Sequence, residues 1–270
     1  MRKTELSKLN EFFGAISKAY RLYIPTDVKS GAEYKEWKDG MTLSEKLNTV
    51  RSAKDFFFPQ TENLMDFKTE GKKIEIIDTR SECEDFVIFG VRACDVRSFD
   101  VLDRVFLAEP ADSYYKNRRE HGVIISVACT KPAETCFCHT FDIDASDPEG
   151  DVVCHKTDDA LYMEAKTEKG EKLLSLVASL TAECGDEKVC EQKKEIKERL
   201  ARLPLASLSA SSFGKGKTKE FFDAPEWKEL SEACLGCGTC TFVCPTCQCY
   251  DIKDFNTGHG VKRFRCWDSC

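Results

Sequence analysis

No stretch of this chain is apolar for long enough to span a membrane. With 47 acidic against 40 basic side chains, its net charge of −7 gives no reason to expect nucleic acid or an anionic lipid surface as a partner. There is no long low-complexity segment and no internal repeat. The opening residues, MRKTELSKLNEFFGAISKAY, are too polar and too helical in pattern for a signal peptide, so a cytoplasmic protein is expected. A Ser–His–Asp order, an H-E-x-x-H helix and a dinucleotide fingerprint are all missing. The nearest approach to a phosphate loop is Gly216-Lys217-Thr218, but Ser211 stands where that pattern needs glycine, and no buried strand precedes it. Chemistry on an organic substrate is therefore not expected of this chain itself.

What the chain does have is cysteine, sixteen in 270 residues. In a reducing compartment these are ligands before they are disulfides. The densest stretch is CLGCGTCTFVCPTCQC, residues 234–249. Cys234, Cys237, Cys240 and Cys244 stand at C-x2-C-x2-C-x3-C, with Pro245 next, which is the bacterial run for a cubane [4Fe-4S] cluster. Gly236 and Gly238 lack a Cβ and let the backbone approach the inorganic core. In such runs the fourth cysteine usually serves the neighbouring cluster. A zinc-binding structural or interaction protein is the alternative, although zinc ribbons use two separated cysteine pairs.

Along the chain, apolar residues at three- and four-residue steps predict a helix over 4–20. A hairpin is expected over 21–37, and DFFFPQ (55–60) is a buried loop or strand end. Residues 73–78, 86–91 and 123–129 read as strands, the last two apolar enough to be buried on both faces. A helix over 96–107 with Val101, Leu102, Val105 and Phe106 on its apolar face follows the second strand, and a strand pair covers 152–164. Two helices are expected over 172–183 and 187–203. The expected organisation is an α/β (α+β) domain over 1–203, a linker and lead-in over 204–224, and a small, incomplete ferredoxin-like domain over 225–270.

The α/β part carries thiols of its own. Cys94 follows one buried strand, Cys129 ends another, and Cys136 and Cys138 lie just beyond in CFC. If the two strands are parallel neighbours, all four thiols reach one sheet edge, where such sheets place their sites. They are candidates for a further cluster or a zinc ion, with His139 beside them as a possible replacement ligand. Arg92 and Asp95 flank Cys94 and would tune such a cluster or cap the helix. Cys83, Cys154, Cys184 and Cys190 read as small buried hydrophobes.

Several stretches together resemble a known family: FFFPQTENLMDF (56–67), FGVRACDVRSFDVLDRVFL (89–107), CFCHTF (136–141), the ferredoxin run, and RCWDSC (265–270). In this order they are similar to the iron–sulfur β subunit of cytoplasmic sulfhydrogenases and to the corresponding iron–sulfur subunit of anaerobic sulfite reductase. The resemblance runs from about residue 50 onward. It implies two [4Fe-4S] clusters and single-electron relay. The relay would join a flavin- and NAD(P)-binding reductase subunit on one side to a hydrogenase or sulfite reductase catalytic subunit on the other. Family members supply a second C-x2-C-x2-C-x3-C-P run after WDSC, whereas this sequence stops at Cys270. The expectation is a truncated product of a longer gene. Otherwise the missing ligand comes from Cys247, Cys249, Cys266 or Cys270.

Overall fold

The computed structural model describes residues 1–80, 83–211, 213 and 216–268. Where the apolar spacing predicts one helix over 4–20, only the later part is helical. The first residues form strand β1 (Arg2–Glu5). Arg2 Nε donates to Thr181 Oγ1 at 2.7 Å, and the Thr4 hydroxyl donates to Leu180 O at 3.0 Å. Tertiary pairing overrides the local helical pattern here. Helix α1 (Leu9–Ser17) then buries Phe12, Phe13 and Ile16. Strands β2 (Arg21–Val28) and β3 (Gly31–Glu36) form the expected hairpin. The Phe-rich stretch is one helical turn, α2 (Lys54–Phe57), which stops before Pro59.

An antiparallel pair follows, β4 (Thr61–Glu70) and β5 (Lys73–Asp78), then β6 (Phe86–Val91) and α3 (Ala93–Phe106). On α3, Leu102 and Phe106 are buried as expected, but Val101 and Val105 are exposed. Val96 and Phe99 take their place, so the buried stripe steps through 96, 99, 102 and 106. Next come α4 (Ser113–His121), β7 (Gly122–Val127), and the pair β8 (Val152–Lys156) and β9 (Ala160–Ala165). Helix α5 (Glu168–Leu176) ends well short of residue 183, because Ala182–Glu183 (β10) pair with Lys3 and Arg2 of β1. Helix α6 (Glu187–Ala201) completes this part. After it come the short helices α7 (Glu226–Ser231) and α8 (Thr239–Val243), then a hairpin of β11 (Tyr250–Asn256) and β12 (Gly260–Trp267).

Two sheets result. The larger has eight strands in the order β10-β1-β9-β8-β7-β6-β2-β3, and β2, β6, β7 and β8 within it run parallel. The smaller, β11-β12-β4-β5, is antiparallel. It takes two strands from residues 61–78 and two from residues 250–267. No helix among the described residues is long and apolar enough to cross a membrane.

Strand β6 feeds a core on each face of the larger sheet. Val87 and Phe89 join Phe12, Phe13 and Ile16 on one side, while Phe86 and Ile88 join Phe57, Phe99 and Leu102 on the other. Strict alternation would put Val91 with Val87. A bulge between Phe89 and Val91, with Gly90 at φ 88°, turns Val91 to the Ile88 side instead. Only glycine takes that φ cheaply, and a Cβ there would meet Pro25 Cγ at 3.1 Å. The bulge sits two residues before Arg92, where the chain leaves the sheet for α3.

The smaller sheet is locked to the larger by a buried ionic network. Arg265 on β12 is 1% exposed. Its Nε donates to Glu62 Oε2 at 2.8 Å and its Nη1 to Asp112 Oδ2 at 2.6 Å. Arg118 Nε donates to the other Glu62 oxygen at 2.6 Å. Asp112 meanwhile caps α4, its Oδ1 accepting from the Tyr114 and Tyr115 N–H groups at 3.0 and 2.8 Å. The guanidinium lies 5.0 Å from the Phe58 ring and 5.4 Å from that of Tyr250. Removing one partner from a buried pair leaves the others charged and unpaired. Arg265→Met is therefore expected to cost about 3–5 kcal/mol in urea unfolding, and adding Glu62→Leu to recover part of the loss. Additive losses in the double variant would contradict this.

His155 on β8 is also buried, with Nδ1 at 3.3 Å from Gln192 Oε1 and Lys193, Asp147 and Glu164 around it. Burial, helped by Lys193, holds its pKa below the ordinary value of 6.5. The unfolded chain thus takes up a proton that the folded chain resists. Its contribution is complete above the unfolded pKa and is lost as pH falls below it. The urea midpoint should drop between pH 7.5 and 5.5, and drop less in His155→Gln.

Candidate metal centre

Helix α7 delivers the chain to an open loop that holds the ferredoxin-type run. Cys234, Cys237 and Cys240 are exposed there and Cys244 is half-buried. Gly236 and Gly238 have φ of 66° and 70°, left-handed conformations that favour glycine. Gly238 caps α8, and its carbonyl accepts from the Thr241 and Phe242 N–H groups at 3.0 and 3.2 Å. This places Cys237 before the cap and Cys240 in the first turn. Cys237 Sγ and Thr239 Oγ1 are 3.3 Å apart. Hydrogen bonding with the Thr239 side chain and backbone holds the Cys237 thiol below its usual range. Cys244 ends the helix with its N–H on Cys240 O at 3.2 Å.

The far side of the loop is clamped by a residue the sequence gives no reason to single out. Lys54, in α2, is 2% exposed. Its Nζ donates to Cys244 O at 3.0 Å and to Cys247 O at 3.2 Å, and lies 3.6 Å from the centroid of the Trp267 ring. The only hint in the sequence is its place ahead of three phenylalanines, since the carbonyls it holds are 190 and 193 residues away. Phe242 of α8 packs on the same Trp267 ring at 6.1 Å. Cys247, Cys249 and Cys266 are half-buried nearby. The Asp251↔Cys266 pairing and the Asp268 N–H on Cys249 O at 3.1 Å bring Cys249 and Cys266 to one end of the hairpin. Cys270 lies outside the described residues.

The other four thiols come together as the strand order requires, because β6 and β7 are parallel neighbours. Cys129 is buried, Cys136 and Cys138 are half-buried, and Cys94 keeps an exposed face. Burial first, then the like charges of Asp95, Cys129 and Cys138, push the Cys94 thiol up to about 12. Burial and its neighbours Cys129 and Cys136 raise Cys138 to about 11. His139 stands exposed in the 3-10 turn Cys138–Phe141. Of the remaining cysteines, Cys154 is buried in the core as expected, whereas Cys190 is exposed on α6, its thiol 3.5 Å from Asp186 Oδ2.

Among the described residues, no three Cys, His, Asp or Glu side chains surround a single ion. The donor set of the run fits an iron–sulfur cluster in its chemistry: four thiols in the required spacing, two left-handed glycines and a hydroxyl on one sulfur. Residues 233–270 match the family described as a 4Fe-4S dicluster domain. Over 262 residues, 96% of this chain and 76% of the relative, the sequence is 30% identical to sulfhydrogenase 2 subunit beta of Pyrococcus furiosus. No solved structure matches the chain.

Replacing Lys54 by Met leaves two carbonyls without their buried donor, at a cost of about 1–3 kcal/mol. Limited proteolysis should then cut within residues 234–249 faster than in the natural chain, and Lys54→Arg should restore part of the protection. Equal cleavage rates in all three proteins would contradict the clamp.

Proposed function

The chain belongs to the family of sulfhydrogenase β subunits, and on that premise we propose that it relays single electrons within a multi-subunit complex. The electrons would pass between a partner that binds flavin and NAD(P) and a catalytic partner that acts on protons, sulfur or sulfite. Its [4Fe-4S] clusters would supply the one-electron carriers. Cys234, Cys237 and Cys240 form the triad for one cluster, and Cys244 serves the neighbouring one. Gly236 and Gly238 shape the loop; Thr239 stabilises the Cys237 thiolate; Lys54 fixes the loop to the fold.

The observation that carries this reading is the exposure of the loop. All three triad cysteines are exposed and Leu235 between them is 93% exposed. A carrier held there is open to a docked partner. Trp227 and Leu230, three residues apart on α7, expose apolar surface just ahead of the triad, as a face covered by a neighbouring subunit would. The reading is tested by anaerobic reconstitution followed by iron, sulfide and zinc counts, with low-temperature EPR after reduction. Cys237→Ser/Cys240→Ser should lower both iron and sulfide by about four per chain relative to the natural protein. Zinc without iron, or an undiminished iron count in the variant, would sink the relay.

A further inference from the structure

A second set of thiols is assembled by the parallel centre of the larger sheet. Phe89 pairs with Ile125 and Val91 with Ser126. Cys94 lies three residues beyond Val91, and Cys129 three beyond Ser126. Both therefore stand at the C-terminal edge of the sheet, where open α/β sheets hold their ligands. The loop after Cys129 folds back to the same edge. The Cys129 N–H donates to Ala145 O at 2.9 Å, and the Ile143 N–H donates to Cys138 O at 3.2 Å. Cys138 packs with Cys129, Ala93 and Ala145 in one small cluster. The four are close enough to couple: Cys129 and Cys138 bear on Cys94, Cys136 on Cys129, and Cys129 and Cys136 on Cys138.

Burial pushes the Cys94, Cys129 and Cys138 thiols up, and one backbone donor and one fixed cation work against it at Cys129. The Ala93 N–H, in the first turn of α3, is aimed at the Cys129 sulfur, while the Asp95 N–H donates to Arg92 O at 3.0 Å. Arg92 is pinned by Leu47 O at 3.0 Å and Ala128 O at 3.2 Å, and its charge bears on Cys129. Such an N–H group and a fixed cation are features that tune a cluster.

We propose that Cys94, Cys129, Cys136 and Cys138 hold an additional iron–sulfur cluster, separate from those served by the run at residues 234–244. A cluster suits this geometry better than a single ion. Cys136 and Cys138, separated by one residue, make a strained pair on a single metal ion. A cubane spreads its ligands, since each thiolate takes its own iron. Loading forms four iron–sulfur bonds and releases the four thiol protons to solvent. The exposed face of Cys94 gives the site its entry.

The inference stands apart from the relay reading, and one experiment separates them. The full chain carrying Cys234→Ser, Cys237→Ser and Cys240→Ser is reconstituted anaerobically with iron and sulfide. It should retain about four irons and four sulfides and an EPR signal after reduction. Adding Cys136→Ser and Cys138→Ser, both outside the sheet, should remove them while circular dichroism stays native. A triple variant that is folded but free of iron overturns the proposal, as does a signal that survives the added changes, or zinc in place of iron. If Cys136→Ser/Cys138→Ser alone strips all iron from an otherwise natural chain, the relay reading falls and this site stands.

Discussion

Arg265 carries its charge into the interior of the protein, and two carboxylates and several aromatic rings are arranged around it. A buried ion of this kind is costly unless it is fully paired, so its partners must arrive together and in register. Glu62 comes from the first half of the smaller sheet, Arg265 from the second, and Asp112 from the cap of a helix packed on the larger sheet. The network therefore requires three separate segments to be folded at once. That is a constraint of specificity as much as of strength, because any slip of β12 against β4 would strand a charge.

The position of the metal loop depends on that arrangement. Strand β12 ends at Trp267, whose ring receives Lys54 on one contact and Phe242 on another. Lys54 in turn holds the carbonyls of Cys244 and Cys247. An anchored ring, a buried cation and two carbonyls thus tie an otherwise open loop to the body of the protein. The exposed cysteines stand at the surface while the other end of the loop is held to the fold. Rigidity on one side and access on the other are what the proposed relay would need.

The sequence shows the ligand run plainly, since spacing, glycine and proline are local features. It also allows Cys94 and Cys129 to be brought together, because two nearly all-apolar strands such as β6 and β7 are at home only in the buried middle of a parallel sheet. The smaller sheet is harder to see. β11 is exposed along its whole length, and β4 is half-buried through its middle and exposed at its end, so neither has the clean alternation by which strands are recognised. Helix α4, SYYKNRREH, buries only Tyr115 and has no apolar stripe. Lys54 and Arg265 are misleading in isolation, because charged side chains normally sit in water. Their partners lie about 200 residues away, and nothing local announces them.

The shared sheet also has a history during synthesis. Strands β4 and β5 leave the ribosome together, but β12, the other neighbour of β4, follows only about 200 residues later. At ordinary elongation rates the edge of β4 waits roughly 10–40 s for its neighbour. During that interval its unpaired N–H and C=O groups are a template for any passing strand. Its charged and polar residues, Glu62, Asn63, Asp66 and Lys68, then act as a guard against pairing with other copies of the nascent chain.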